Sequence, residues 1–443
     1  MLIQFTVGNF LSFKEKTTFS MLASPEEPGH EDRVVKINED ISVLRIAAIY
    51  GANASGKSNL LAAIHSAKAL INNGIGINNP IPYMPFSLSK SQDKDTFIEF
   101  IISVKSNIYT YGFTYNTDNI TSEWLTNTNT NDNFFCRKSD EEQDTIDFND
   151  NKINELGGDA EFLNFIKKGT RKNQLFLIEL ASKNIQKALD VWSWFQVNLI
   201  IPDALYPESK GILMYRINDE NIQSLSRLVM NADTGISEIR ISPEAVNMTR
   251  EYESMQSFMS SNSDFVFSII ENGPRKRLKF NSETKKIEEI KFQFQHLNEW
   301  FDEHQESLGT IRLIEMWENL MSFTEMPRTV LIDEIELSMH PGLVRFLAEF
   351  WMQNTTNENQ LIFTTHNDNL LEDDLLRRDE VWMVTKNKTG ASELASLVEY
   401  KIQPGTDMQK AYLRGWFNGV PRLGPRNFYH TIRENTASDA PAS

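Results

Sequence analysis

The sequence predicts an α/β fold built around a phosphate-binding loop, with an antiparallel sheet beside it and an insert of mixed helices and strands. Gly51–Ser58 reads G-x-x-x-x-G-K-S and lies between an apolar run at Val43–Ile49 and an apolar helical run at Leu60–Ile64. Strand-like runs occupy residues 96–115, and a second apolar strand at Arg328–Ile332 ends in two carboxylates. A buried strand, a glycine loop and a helix therefore occur in the order that a phosphate cradle requires.

The glycine loop predicts a site for a nucleoside triphosphate. Its glycines let backbone N–H groups wrap a polyphosphate, and the helix N-terminus adds its positive dipole end. We expect Lys57 to neutralise the outer phosphates and Ser58 to offer its hydroxyl to Mg²⁺. The residues assigned to nucleotide binding are Asn53, Ala54, Ser55, Gly56, Lys57, Ser58 and Asn59. A chance match in a Gly/Ser-rich turn is the alternative, but the flanking strand and helix favour the site.

Length and composition limit the kind of protein. The 443 residues suffice for two or three domain-sized units, and 61 acidic against 44 basic residues give a formal charge of -17. This charge argues against a general polyanion binder, with a local basic groove as the exception. The single cysteine, Cys136, excludes an internal disulfide and suits a reducing compartment. No run approaches the roughly 20 apolar residues of a membrane span, so we expect a soluble, cytoplasmic protein.

The N-terminal part predicts strands on both sides of the glycine loop. Leu2–Val7 alternates apolar and polar residues, and Thr17–Leu22 is expected to be the second strand of a hairpin. Residues 96–115 carry two further strand-like runs, and Phe134–Cys136 predicts a short one. Apart from such short strands, residues 128–155 are mostly polar and predict a solvated, mobile excursion. Together these runs indicate an antiparallel sheet beside the nucleotide site.

A second group of motifs begins at Ser307–Thr310, just ahead of a helical run. A serine and a glycine at this position direct a hydroxyl and backbone N–H groups toward an anion, and a capped helix without a ligand is the alternative. The strand Arg328–Ile332 then ends at Asp333 and Glu334. Asp333 is suited to hold Mg²⁺ through its water shell, and Glu334 to accept a proton from the attacking water. Acidic residues that merely cap a helix are the alternative.

His366 ends another apolar strand, which begins at Gln360. A lone histidine at a strand end is usually a satisfied polar residue. Following a glycine loop and an acidic strand end, His366 is also a candidate sensor of the γ-phosphate.

The order of these motifs resembles the ABC-type ATPase heads of the RecF, SMC and OLD class. More narrowly, the whole chain resembles the single-chain, ABC-like AAA-type ATPases of prokaryotic phage-defence and abortive-infection loci, of the RloA and AriA kind. The narrower resemblance rests on Asn-Phe-x-Ser-Phe at residues 9–13, on Leu376–Trp382 and on Tyr412–Gly415. It implies an ATPase that uses ATP and Mg²⁺.

The resemblance also implies roles for residues outside the glycine loop. Ser307 and Gly309 would contact the γ-phosphate of a nucleotide held by the opposite subunit, and Glu336–His340 would form a D-loop across that interface. Gln174 would stand in the Q-loop and reach the Mg²⁺ or the attacking water, with an ordinary surface glutamine as the alternative. The signature reads Ser-Leu-Gly-Thr and departs from Ser-Gly-Gly-Gln.

The expected fold is therefore an α/β, ABC-type (RecF/SMC-like) P-loop NTPase head with a flanking antiparallel sheet and a helical or mixed insert. We expect ATPase lobe I with the P-loop over residues 1–180 and the insert over 181–300. Lobe II, with the signature, Walker B strand, D-loop and His366, is expected over 301–443. A signature is useful only if it faces a bound phosphate, so we expect a homodimer or higher homo-oligomer that sandwiches two nucleotides. The insert lacks sustained heptads, which argues against a long coiled coil.

Two functions follow from this interpretation. The favoured one is a nucleotide-gated sensor or scaffold in phage defence that controls a separate effector, a Toprim-like nuclease from the same locus, with a phage protein as a trigger. The alternative is a RecF-like DNA-repair ATPase, for which Arg275–Arg277 and Lys285–Lys286 are the notable basic clusters. A transporter motor is a third, weaker option. The acids Glu372–Asp374 and Asp379–Glu380 are expected on a solvated helix rather than in a fused nuclease.

Overall fold

Three main sheets and nine α-helices make up the part of the chain that the structure describes. The computed structural model describes residues 1–27, 29–77, 79–88, 94–130, 132–139, 144–148, 156–157, 159–202, 212–270, 275–321, 327–354, 358–372, 375–403 and 405–420. The strands are β1 Leu2–Gly8, β2 Thr17–Ser20, β3 Val34–Lys36, β4 Ser42–Leu44, β5 Ile46–Tyr50, β6 Thr96–Val104, β7 Asn107–Tyr115, β8 Ile120–Asn127, β9 Asp132–Ser139, β10 Asp144–Phe148, β11 Leu199–Ile200, β12 Ile212–Arg216, β13 Ile236–Ala245, β14 Phe265–Ile270, β15 Arg275–Asn281, β16 Lys286–His296, β17 Glu299–Asp302, β18 Thr329–Ile332, β19 Gln360–Thr364, β20 Val381–Lys386 and β21 Ser392–Ser396. The α-helices are Lys57–Asn73, Ala160–Gly169, Phe176–Ser182, Gln186–Ser193, Asp219–Asn231, Arg250–Ser261, Leu308–Met321, Pro341–Asn354 and Met408–Leu413.

The central sheet brings the glycine loop and the acidic strand end to one edge. Its order is β11-β18-β19-β5-β20-β21, and every pair is parallel except β20 with β21. All residues of β5, β18 and β19 are buried, as expected for a parallel sheet that is covered on both faces. Because parallel strands end at the same edge, the segments that follow β5, β18 and β19 are neighbours.

The predicted antiparallel sheet is present and has seven strands, in the order β10-β9-β8-β7-β6-β1-β2. The expectation of a solvated excursion over residues 128–155 is wrong for 132–139 and 144–148, which form the β9–β10 hairpin. The physical reason is burial, since Phe134, Phe135 and Ile146 lie in the core. Fully burying side chains of this size contributes about 1.5–3 kcal/mol each, which outweighs the polar composition around them.

The insert is a second antiparallel sheet with two helices, which agrees with the predicted mixed character. Its strand order is β12-β14-β15-β16-β13, and β17 also pairs with β16. The helices Asp219–Asn231 and Arg250–Ser261 span 13 and 12 residues. Leu225, Leu228 and Val229 of the first helix share a core with the central sheet and with the helix Leu308–Met321. The insert is thus packed directly on the central sheet.

Two large cores cover the two faces of the central sheet. Ala47 and Ile49 of β5 belong to a core shared with the helix Lys57–Asn73 and the seven-stranded sheet. Ile46 and Ala48 of the same strand belong to the core on the opposite face. No helix within the described ranges is long and apolar enough to cross a membrane.

The acids near the C-terminal end correct a prediction. Asp379 and Glu380 are 4% and 0% exposed, so they do not lie on a solvated helix. Arg377 donates to both oxygens of Asp379, at 2.9 and 2.7 Å, and its backbone N–H donates to Glu380 at 2.8 Å. Residues 373 and 374 lie outside the described ranges. Buried carboxylates persist only with such partners, and these acids are structural.

Candidate nucleotide-binding site

The glycine loop adopts a backbone that only glycine tolerates at its last turn. Gly56 has φ +115° immediately before the helix that begins at Lys57. A Cβ built on Gly56 would lie 2.3 Å from Ser392 Oγ and 2.6 Å from Ser12 Oγ. Both the dihedral and the close approach exclude a side chain at this position. Within the loop, Asn53 and Ala54 are exposed, Ser55, Gly56 and Lys57 are buried, and Ser58 and Asn59 are half-buried.

Two serines from distant parts of the chain support the loop, and we call Ser12 and Ser392 the serine clasp. Their hydroxyl oxygens are 2.7 Å apart, and the Ser392 N–H donates to the Ser12 carbonyl at 2.7 Å. Ser392 Oγ donates to the carbonyl of Ser55 at 2.5 Å, and Asn59 Nδ2 donates to Ser12 Oγ at 2.8 Å. The clasp therefore joins the opening turn and the β20–β21 hairpin to the phosphate-binding loop. The sequence analysis missed Ser392. Its role becomes visible only in the structure, through its close approach to Gly56.

Lys57 and His366 meet although they are 309 positions apart. Lys57 Nζ donates to the Gly51 carbonyl at 2.9 Å and lies 2.9 Å from His366 Nε2. Desolvation by burial lowers the pKa of Lys57, and the nearby charges of Asp333 and Glu336 oppose this shift. The structure thus brings the predicted phosphate ligand and the predicted phosphate sensor together.

Thr364 organises the acidic strand end. Its hydroxyl donates to Asp333 Oδ1 and accepts the backbone N–H of Glu334 at 2.7 Å. The register Ile332↔Phe363 sets the ends of β18 and β19 side by side, which makes these contacts possible. The other carboxylate oxygen, Asp333 Oδ2, is buried without a hydrogen-bond partner among the described residues. A buried carboxylate oxygen without a partner fits the role of a ligand to Mg²⁺ or to its water shell.

Glu334 sits in a strained and accessible position. Its φ is +48°, a left-handed conformation that is uncommon for a non-glycine residue, and its side chain is exposed. Strain of this kind costs of order 1–3 kcal/mol and is often found at functional sites. Glu336 follows closely, and its Oε1 accepts the backbone N–H of His366. The Glu334 carboxylate therefore projects at the sheet edge, while Glu336 holds the strand end that carries His366.

The signature and the D-loop form one surface patch. Ser307 Oγ accepts the N–H of Thr310 at 3.1 Å and so caps the helix Leu308–Met321, which we call the signature helix. A Cβ on Gly309 would lie 3.0 Å from the carbonyl oxygen of Ser338. Leu308 and Leu337 are 72% and 46% exposed. Within the described chain, no hydrogen bond joins Ser307 or Gly309 to the phosphate-binding loop, so the structure does not bring these two predicted parts together in one chain.

The prediction that Gln174 reaches Mg²⁺ is wrong. Gln174 Oε1 accepts the N–H of Ile75, just past the C-terminal end of the helix that starts at Lys57. That helix has 17 residues and is about 25 Å long, so Gln174 lies at its far end from the phosphates. Gln174 is 7% exposed, which also excludes a surface glutamine. Arg137 Nη1 donates to the Gln174 carbonyl at 2.6 Å and helps to hold the segment there.

A phosphate-binding loop at the start of a helix, beside an acidic strand end on a parallel sheet, defines the site of a P-loop NTPase. A family model described as "AAA domain, putative AbiEii toxin, Type IV TA system" matches residues 46–173 and 217–372. The chain belongs to this family. The predicted P-loop ATPase and its α/β fold class are thereby confirmed.

Solved structures of SMC heads resemble the chain weakly. An SMC head bound to the C-winged helix domain of ScpA is 13% identical, with 93% of this chain and 99% of that chain covered at a TM-score of 0.41. The SMC head domain from Thermotoga maritima is 14% identical, with 89% and 98% covered at a TM-score of 0.33. A search among curated proteins finds no match to this sequence.

Proposed function

We propose that this protein binds and hydrolyses ATP as a two-fold dimer, and that nucleotide-driven association gates a separate effector in antiviral defence. One observation supports the chemistry above the others. Lys57 and His366 meet at 2.9 Å on the sheet edge where Asp333 and Glu334 follow β18. A phosphate ligand, a sensor, a metal-binding carboxylate and a candidate base are thus available to one bound triphosphate.

Each residue has a specific part in this proposal. The loop N–H groups and Lys57 bind the phosphates, and Ser58 with Asp333 holds Mg²⁺. When bound, Mg²⁺ neutralises the charge that develops on the phosphoryl oxygens. Glu334 accepts a proton from the attacking water, and its exposure leaves room for that water beside it. His366 senses whether the γ-phosphate is present, because it contacts Lys57, which binds that phosphate.

The signature patch supports the dimer. Ser307 and Gly309 make no hydrogen bond to the phosphate-binding loop of their own chain within the described residues, so their γ-phosphate target is best supplied by a second copy. Leu308 and Leu337 expose apolar surface beside them. In a two-fold dimer each signature meets the nucleotide of the other subunit, and the exposed leucines are covered. ATP then joins the subunits and its hydrolysis releases them.

The description of the family supports the proposed defence role. The family description refers to a toxin of a toxin–antitoxin system, which supports a role in a defence locus. We propose that the effector is a separate Toprim-like nuclease encoded beside this chain and that a phage protein is the trigger. Asp379 and Glu380, two of the acids considered for a fused nuclease, are buried and have hydrogen-bond and ion-pair partners, which supports a nuclease on another chain.

A RecF-like DNA-repair ATPase is the alternative, and the burial of Arg275 and Arg277 argues against it. The side chains of Arg275 and Arg277 are 11% and 3% exposed, and both pair with Glu318. They are therefore not available to the phosphates of DNA. Lys285 and Lys286 lie at the turn between β15 and β16. The formal charge of -17 opposes general DNA binding as well.

The decisive experiment measures the mass in solution of Glu334→Gln with and without ATP and Mg²⁺. We expect the variant to bind ATP, to lose turnover by roughly 100-fold or more, and to double in mass with ATP. Lys57→Ala is the matched control and should neither bind nucleotide nor change mass. Co-purification with the neighbouring gene product then tests the effector. Mass and partner binding that ignore ATP but respond to DNA would replace this proposal by the repair ATPase.

A further inference from the structure

A buried ion-pair cluster joins the insert sheet to both sides of the signature. Arg277 on β15 donates from Nη1 and Nη2 to the two oxygens of Glu303, at 2.5 and 2.9 Å. Its Nε donates to Glu318. Glu303 lies just before residues 306 and 307, which lead into the signature helix and which we call the signature turn. Glu318 lies in the signature helix. We call Arg277, Glu303 and Glu318 the clamp.

Glu318 is fully buried, and its other partners also come from the insert. Tyr215 Oη on β12 donates to Glu318 at 3.0 Å, and Ser268 Oγ on β14 donates at 3.1 Å. Arg275 lies 3.2 Å away. A buried carboxylate is tolerated only when such partners keep their geometry. The signature helix therefore cannot shift relative to the insert sheet without disturbing this cluster.

A second tie acts on the signature turn itself. His296 Nε2, at the end of β16, lies 2.9 Å from Oε1 of Glu306. Glu306 directly precedes Ser307. The contact with His296 therefore holds the signature turn against the insert sheet, as the contact of Arg277 with Glu303 does. The Arg277 guanidinium also stacks on Phe292 of β16 at 4.5 Å from the ring centre. Two adjoining strands of the insert thus hold the segment that leads into the signature.

The charge on Arg277 is secure. Burial alone lowers its pKa, but the charges of Glu318 and Glu303 outweigh this effect and leave the pKa well above its ordinary value. A planar guanidinium that binds one carboxylate through two parallel N–H donors fixes orientation as well as distance. This two-donor contact therefore fixes the signature turn relative to β15.

We propose that Arg277 is a positioning residue: through Glu303 and Glu318 it makes the insert sheet set the position of the signature turn, and so controls closure on a nucleotide held by a second copy. This inference rests on the proposed function, since it needs a signature that acts across a dimer. The inference predicts different effects of the clamp on nucleotide binding and on dimerisation. Nucleotide binding by the chain's own phosphate-binding loop is independent of the clamp, whereas ATP-dependent dimerisation and turnover depend on it.

Glu303→Gln is the sharpest test, because it breaks the two-donor contact at a side chain that is 21% exposed and leaves the buried Arg277–Glu318 pair intact. We expect ADP affinity to stay within about twofold of wild type, while turnover at saturating ATP falls roughly 10- to 100-fold. In a Glu334→Gln background, the mass increase with ATP should be lost. Amide hydrogen exchange over residues 303–310 should rise, and exchange over 57–73 should not change.

Glu244→Gln is the matched control. Glu244 forms an ion pair with Lys291 on the same sheet, but both side chains are about half exposed. We expect this variant to bind ADP, turn over ATP and dimerise as the wild type does. Glu303→Gln behaving like Glu244→Gln would overturn the inference alone, as would a parallel loss of ADP affinity, which would indicate general damage. A wild-type protein that neither hydrolyses ATP nor dimerises would remove the proposed function and this inference with it.

Discussion

Nζ of Lys57 lies 2.9 Å from Nε2 of His366. Because a lysine ammonium only donates, Nε2 accepts and the ring proton belongs on Nδ1. Burial and the neighbouring Lys57 charge lower the pKa of His366, which favours this neutral ring. The contact therefore holds an uncharged imidazole against the lysine that is proposed to bind the outer phosphates.

This contact predicts that His366 affects turnover more than binding. We expect His366→Ala to keep nucleotide affinity, because the loop N–H groups and Lys57 remain, and to lose turnover by roughly 10- to 100-fold. His366→Gln retains a hydrogen-bond acceptor and should lose less. Steady-state hydrolysis and equilibrium binding of a fluorescent nucleotide distinguish the two effects. A loss of affinity as complete as that of Lys57→Ala would contradict a sensor role.

Gln174→Ala should affect stability and not chemistry. Because Gln174 Oε1 accepts the N–H of Ile75 in a buried site, its removal should cost about 1–2 kcal/mol of unfolding free energy. Turnover per folded molecule should equal that of wild type. Urea denaturation and ATP hydrolysis measure the two quantities, with Lys172→Ala, a change at an exposed side chain, as control. A selective loss of turnover at unchanged stability would return Gln174 to the Mg²⁺ site.

Gly56→Ala should disrupt the phosphate-binding loop. The φ of +115° is unfavourable for alanine by roughly 1–3 kcal/mol, and the new Cβ would meet both hydroxyls of the serine clasp. We expect a lower melting temperature and weaker nucleotide binding. Gly169→Ala is the control, because a Cβ there meets nothing within 4 Å. Adding Ser392→Gly to Gly56→Ala should recover part of the stability, and no recovery would argue against the close approach as the cause.

Glu380 predicts a pH-dependent stability. Burial raises its pKa from 4.5 to about 8, whereas in the unfolded chain it titrates near its ordinary value. The unfolded state therefore releases the proton first, so the contribution of Glu380 to stability is complete below pH 4.5 and is lost as the pH rises through 8. Glu380→Gln cannot ionise and should avoid this loss.

Thermal denaturation from pH 5 to pH 8 measures this effect. The melting temperature of Glu380→Gln relative to wild type should rise over this interval. Glu238→Gln removes an exposed carboxylate from β13 and should give a difference that varies little with pH. If the two variants followed the same course, the burial of Glu380 would not govern its titration.

Sequence patterns were informative wherever function depends on residues that are adjacent in the chain. The order strand, glycine loop and helix is set by local backbone geometry, so the nucleotide site could be recognised from Gly51–Ser58. The acidic pair Asp333 and Glu334 could be recognised for the same reason, because it directly follows an apolar strand. The family match and the parallel sheet agree with the class of P-loop ATPases, and the roles of the individual residues stay predictions.

Long-range packing decided the rest. Gln174 is held by Ile75 and Arg137, and nothing in its neighbouring residues distinguishes such a site from a metal ligand. The β9–β10 hairpin has a polar composition, and a few buried aromatic and aliphatic side chains decide its fold.

By itself, then, the sequence determined the class of the protein, because the phosphate-binding loop and the acidic strand end each consist of residues that are consecutive in the chain. Only the tertiary structure decided which distant side chains support them. The serine clasp joins Ser12 to Ser392, and the clamp joins Arg277 to Glu303 and Glu318. These contacts depend on the register and packing of strands far apart in the chain, which no local pattern of residues specifies.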